Sequence, residues 1–152
     1  MENKNGHWQA PWDFDPEEWV GFVYRICDVD TGKEYIGKKF FFSTNRKKVK
    51  GRKNRKVVRK QSDWKSYTGS SKELNAEIER RGKDSFKFFI ESLHESRSSL
   101  AYREVEAQIK ENVLREKLVN GDRKFYNGMI APIKFKVPDM TNKERLYQTR
   151  QY

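Results

Sequence analysis

The sequence predicts a small α+β domain in which a three-stranded antiparallel sheet is flanked by helices. Three observations carry this reading. Two segments rich in β-branched and aromatic residues flank a "DTGK" turn at 30–33, a third such segment, "SFKFFIESL", lies at 85–93, and two stretches with helical spacing precede and follow that third segment. At 152 residues the chain suffices for one domain with a modest core.

Residues 1–19 form an arm with tryptophans at 8, 12 and 19 and acidic residues Glu2, Asp13, Asp15, Glu17 and Glu18. Its aromatics are expected to pack on the domain surface, which spans 20–138. The first strand covers 20–28 and the second 34–42. With Thr31 and Gly32 as a two-residue loop, Asp30 pairs with Lys33 and Tyr24 with Lys39. Tyr24 and Tyr35 then project from one side of the sheet, because side chains alternate with a period of two. A basic insert, 43–61, follows.

The first helix begins at Ser70 or Ser71, with Glu73 placed for a capping box if Ser70 is the cap, and ends at Gly82. Leu74 and Ile78 stand four apart on its apolar face. Ser98 or Ser99 opens the second helix, 100–119, whose apolar stripe is Leu100, Ala101, Val105, Ile109, Val113 and Leu114; Asn120 and Gly121 stop it. Residues 123–137 read as a last extended segment and 139–152 as a polar tail.

Composition narrows the function classes. Charged residues make up 36% of the chain against 35% hydrophobic, but aromatics reach 14%, too many for a disordered chain. The single cysteine, Cys27, cannot form an intrachain disulfide and fits a reducing compartment. No apolar run approaches the ~20 residues of a membrane span. One cysteine and two histidines, His7 and His94, cannot build a zinc site, and no phosphate-binding glycine loop is present.

Of the net charge of +11, most lies in one window: Arg46 to Lys60 holds ten basic residues and no acidic one. Such a block repels itself unless an anion neutralises it, and nucleic-acid phosphate is the leading partner. A membrane surface is disfavoured because no apolar helix face accompanies the charge.

The hairpin carries the remaining chemistry. "FVY" at 22–24 and "YIG" at 35–37 resemble the two halves of the GIY-YIG nuclease motif. The second half matches fully; in the first, Phe22 and Val23 stand where the family has Gly and Ile. The resemblance covers roughly 20–128 and extends through the helix–strand–helix order to "FYNG" at 125–128. "YIGKK", "SDWKSYTGSSKEL" and "FYNG" are similar to small phage-encoded members.

The resemblance implies a DNA endonuclease, with homing, recombination and degradation of host DNA all open as its role, that uses one divalent metal, Mg²⁺ or Mn²⁺, held by a helix glutamate. A tyrosine acts as base or positions water, an arginine meets the phosphate, and a late asparagine supports the site. In this sequence Tyr24 is the candidate base and Tyr35 its partner. Glu104 is the candidate metal ligand, with Glu106 as the alternative. Lys38 is placed to touch the scissile phosphate, and Asn127 is the late asparagine. Arg46 is the candidate arginine, with Arg52 or Arg55 as substitutes. A phenol titrating near ~10 can act as a base only beside positive charge, here Lys38, Lys39 and the basic block. Lys47, Lys48, Lys50, Arg52, Lys53, Arg55, Lys56, Arg59 and Lys60 are expected to hold DNA phosphates. A catalytically silent DNA-binding module and a basic protein-interaction protein are the rival readings. The expected form is a monomer or homodimer in the cytoplasm, that of the host cell for a phage protein.

Overall fold

The computed structural model describes residues 4–134 and 136–149; Glu2 of the acidic arm and the last three residues of the tail lie outside them. The central strand β1, Gly21–Asp28, pairs antiparallel with β2, Glu34–Phe40, on one side and β5, Phe86–His94, on the other. The predicted three-stranded antiparallel sheet is present, with β2 at one edge.

The β1–β2 turn is longer than expected. Cys27 pairs with Glu34, and the Asp28 N–H donates to the Lys33 carbonyl at 2.8 Å, which leaves four loop residues from Val29 to Gly32. The Asp28 carboxylate organises this loop by accepting the N–H groups of Asp30 and Thr31 at 3.1 and 3.3 Å, and Gly32 supplies φ = 81°. Tyr24 therefore stands opposite Gly37 instead of Lys39. The slip is two residues, an even number, so Tyr24 and Tyr35 still share a face.

That face carries the larger core. Phe22, Tyr24 and Ile26 of β1 pack with Phe41, Trp64, Leu74, Ile78, Phe86, Phe88 and Ile90. The helix α1, Lys72–Arg81, lies here, capped by Ser71, whose hydroxyl accepts from the Leu74 N–H, and ended by Gly82 at φ = 86°. The N-terminal arm is integral to this core: Trp8 and Trp19 are buried, and Gln9 exchanges backbone hydrogen bonds with Phe88 and Ile90 of β5.

The opposite face packs Val23 and Ile36 against Leu100, Ala107, Val113 and Phe125. It is covered by α2, Arg97–Lys110, capped by Ser96. The helix stops nine residues before the expected end at Val119. Asn112 adopts φ = 54° and turns the chain, while Glu111 at the C-cap ion-pairs with Arg25 at 2.7 Å. The predicted stripe is revised accordingly. Ile109 and Leu114 are exposed, whereas the polar Arg103 and Gln108 take buried positions because each has a partner there. Arg25 also meets Glu34 at 3.0 Å and Glu91, tying the polar end of the sheet together.

Two further segments carry structure that the sequence reading did not assign. The basic insert is an antiparallel two-stranded ribbon, β3 (Phe42–Lys47) with β4 (Lys56–Gln61), separate from the main sheet. The tail is a docked element: Thr141 and Glu144 form a capping box on the short helix α3, Asn142–Leu146. Glu144 is buried beside His94 and Ser99, and Tyr147 packs edge-on against Trp12 and Trp19. No helix of the described residues is long and apolar enough to cross a membrane.

Candidate active site

The edge strand β2 organises the candidate site. Its outer edge is covered at one end by residues 124–127: the Glu34 N–H donates to the Lys124 carbonyl and the Tyr126 N–H to the Glu34 carbonyl, both at 2.8 Å. Asn127 then continues this pairing with its side chain. Its Oδ1 accepts the Ile36 N–H at 3.1 Å, and its Nδ2 donates to the Ile36 carbonyl at 2.7 Å. The buried Gln108 adds a second donor to that carbonyl at 3.0 Å. Asn127 is thus a clamp on the strand, buried away from the cleft.

Immediately past the clamp comes Gly37. A Cβ there would lie 2.4 Å from the Tyr24 hydroxyl and 3.1 Å from the Tyr35 ring, so the absent side chain makes room for the phenol to lie across the edge strand. Gly69, in the loop before α1, closes the other side. At φ = 84°, its added Cβ would stand 3.1 Å from the Tyr35 ring and 3.2 Å from the Tyr24 hydroxyl. The two tyrosine rings lie 6.1 Å apart at 32°, and Tyr67 meets Tyr24 edge-on at 6.1 Å. The Tyr35 hydroxyl bonds the Ser70 hydroxyl at 3.0 Å, which gives the "SYTGSS" loop a role beyond capping.

Lys38 follows on the α2 side of the sheet, and its ammonium lies 3.4 Å from the Glu104 carboxylate. Glu104 lies close enough for its charge to act on both Tyr24 and Tyr67, while Glu106 is turned away into an ion pair with Arg103 at 2.6 Å. Burial pushes the Glu104 carboxyl above its ordinary value, with Lys38 pulling the other way. Burial, reinforced by Tyr35, Tyr67 and Glu104, pushes the Tyr24 phenol well above its usual range. The resting Tyr24 is therefore a neutral phenol, in contrast to the expectation that nearby lysines would lower it.

Next to this group, a cleft of about 380 Å³ is lined by Lys38, Lys39, Phe40, Tyr67 and Arg97, with the root of the ribbon as its wall. The Lys39 ammonium sits 3.9 Å over the Tyr67 ring and pairs with Asp63 at 2.7 Å; the Arg97 guanidinium lies 5.0 Å from the Phe40 ring. Arg46 does not line the cleft. It is exposed on β3 opposite Val57, four residues beyond the Phe42 at the root. Lys47, Lys56, Arg59 and Lys60 lie on the same ribbon, and Lys48, Lys50, Arg52, Lys53 and Arg55 in the loop joining its strands.

Sequence reasoning missed Tyr67, Gly69 and Arg97. The aromatic and the glycine in "SYTGSS" were a legible signal; Arg97, at a helix start far along the chain, carried none.

Phe22 and Val23, the two departures in the first motif half, are fully buried. Phe22 packs among Trp8, Phe41 and Trp64, and Val23 against the α2 side, so the substitutions fill the core and leave the cleft untouched.

The family comparison agrees with this geometry. Residues 6–130 match the model described as "Putative endonuclease segE, GIY-YIG domain". The chain belongs to the GIY-YIG endonuclease family. No curated protein and no solved structure matches it.

Proposed function

We propose that the chain is a metal-dependent DNA endonuclease that hydrolyses phosphodiester bonds. The observation that carries this is the convergence of Tyr24, Tyr35, Tyr67, Lys38 and Glu104 on one point of the edge strand, beside a cleft lined by cations. A module that merely binds DNA needs the cations but not a half-buried carboxylate paired with Lys38 beside the phenols.

Among the described residues no three His, Cys, Asp or Glu side chains gather as metal ligands. A single carboxylate nevertheless fits Mg²⁺ (or Mn²⁺), which keeps several waters and takes other ligands from phosphate. Glu104 is that ligand, and a metal there supplies Lewis-acid stabilisation of charge on the phosphate. Lys38 and Arg97 neutralise phosphate oxygens in the cleft. Tyr24 acts as a hydrogen-bond donor that orients water or phosphate, with Tyr35 and Tyr67 fixing its ring. Asn127 and Gln108 hold β2 in place beneath them. The ribbon cations supply affinity through counterion release. The likeness of "YIGKK" and "FYNG" to small phage-type members supports a phage-encoded enzyme working in the host cytoplasm.

Nicking of supercoiled plasmid with Mg²⁺ tests this reading. Glu104→Gln, Tyr24→Phe and Arg97→Ala are each expected to lose about 10²-fold or more in rate, as for removal of a group that stabilises transition-state charge. Arg46→Ala is expected to weaken binding alone. Cleavage at the wild-type rate by Glu104→Gln refutes the site.

A further inference from the structure

The two faces of the ribbon are committed to different things. Cross-strand pairing places Phe42, Thr44, Arg46, Val57, Arg59 and Gln61 on one face and Ser43, Asn45, Lys47, Lys56, Val58 and Lys60 on the other. The first face is tied to the body of the domain. Its Arg59 guanidinium stacks 3.5 Å from the Phe42 ring and donates to Glu17 of the N-terminal arm at 2.8 Å. The second face has no such tether: among the described residues, no carboxylate lies within ion-pair distance of Lys47, Lys56 or Lys60.

The second face has a regular layout. Its three cross-strand rows are Ser43 with Lys60, Asn45 with Val58, and Lys47 with Lys56. Three of the four corners are lysines, and the middle row holds an amide beside an apolar side chain. Rows two residues apart are separated by about 7 Å, so the outer rows stand about 14 Å apart. The major groove of B-DNA is about 12 Å wide and admits a two-stranded ribbon. Lysines at the corners then reach phosphates on both walls while the middle row faces the floor. An A·T pair presents there the N6/N7 edge that an amide recognises and the thymine methyl that an apolar side chain meets. Directly opposed side chains about 5 Å apart suit one base pair.

Resting on the DNA-cleaving reading above, we propose that the Asn45–Val58 face of the ribbon enters the major groove of duplex DNA and selects an A·T pair, held there by Lys47, Lys56 and Lys60. This makes the insert a determinant of site choice as well as affinity.

Selection of bound duplexes from a randomised pool, using the full chain without metal, tests it. The wild type is expected to enrich an A·T pair at a fixed position and to prefer that duplex over its G·C replacement by about tenfold or more. Replacing that adenine with 7-deazaadenine, which removes N7 from the major groove alone, is expected to abolish most of the preference. Asn45→Ala and Val58→Ala should lose the preference with an unchanged salt slope. Lys47→Ala/Lys56→Ala/Lys60→Ala should keep the preference and flatten the slope by about 2.7, at 0.9 per phosphate contact. Duplex binding with no preference, or a preference untouched by Asn45→Ala, overturns the groove assignment alone. Tighter binding to single strands than to duplex overturns it too, and no DNA binding at all overturns both readings.

Discussion

Removing Asn127 and removing Gln108 should have unequal effects, because both serve Ile36 but only one is indispensable to it. Ile36 is fully buried on the edge strand. Its N–H has the Asn127 Oδ1 as partner, while its carbonyl is shared by Asn127 Nδ2 and Gln108 Nε2. Asn127→Ala leaves the N–H unpaired in the core, a loss of about 1–3 kcal/mol, and the carbonyl keeps Gln108. Gln108→Ala leaves no group on Ile36 unpaired and removes one net hydrogen bond, about 0.5–1.5 kcal/mol. In the double variant the carbonyl loses its second donor as well, so the combined loss should exceed the sum of the single losses by about 1 kcal/mol. Urea unfolding followed by tryptophan fluorescence, with wild type, both singles and the double at a common m-value, measures all four corners. Equal losses for the two singles, or strict additivity, would refute the view that the Asn127 amide completes the strand edge.

Gly37→Ala should destabilise by about 1–3 kcal/mol through overpacking, since its Cβ meets the Tyr24 hydroxyl at 2.4 Å, and nicking should fall with it. Lys38→Met should slow nicking by about 10²-fold while direct Mn²⁺ binding, read by water proton relaxation, survives; loss of that binding would mean Lys38 supports the carboxylate instead of the phosphate. Burial holds the Tyr24 proton in the folded state where the unfolded chain releases it. Its contribution to stability is therefore complete below about pH 10 and declines above it, and Tyr24→Phe should flatten that decline in chemical unfolding at pH 9–11. Burial alone would raise Asp28 and Glu144. Donors outweigh it, chiefly Arg81 and Tyr126 for Asp28 and His94 and Thr141 for Glu144, and set both near about 2. Their stabilisation is present above about pH 4 and lost as pH falls through about 2, and Glu144→Gln should flatten that acid limb.

The parts of the fold visible in the sequence were those governed by local chemistry. Enrichment in β-branched and aromatic residues marked β1 and β5, and Gly82 marked the end of α1. The shared face of Tyr24 and Tyr35 survived a wrong loop length because only its parity mattered. The errors came from tertiary partners. Helical spacing runs on past Lys110, but Arg25 claims Glu111 and the chain turns at Asn112. A polar tail conceals a carboxylate that docks on His94, 50 residues away in sequence. Glu104 and Lys38 were legible as a motif and a neighbour of one. Arg97 was not, since its approach to the cleft depends on how α2 crosses the sheet.

The edge position of β2 explains why the motif ends in glycine. A central strand has neighbours on both sides, so a phenol from β1 could not cross it to meet a carboxylate from the opposite layer. At an edge that crossing is possible, provided nothing on the strand blocks it and nothing pairs with the strand there. Gly37 meets the first condition by having no side chain over which Tyr24 must climb. Asn127 bears on the second, because it finishes the backbone pairing at Ile36 with a side chain, and among the described residues the covering segment contributes no backbone hydrogen bond to β2 beyond Tyr126. The phenols of the aromatic layer and Glu104 of the helical layer can then meet around one strand, with Lys38 extending to the same side as Glu104. Extending the covering segment by a residue, through an insertion after Asn127, would extend edge pairing toward Gly37 and should suppress nicking while leaving ribbon-mediated DNA affinity unchanged.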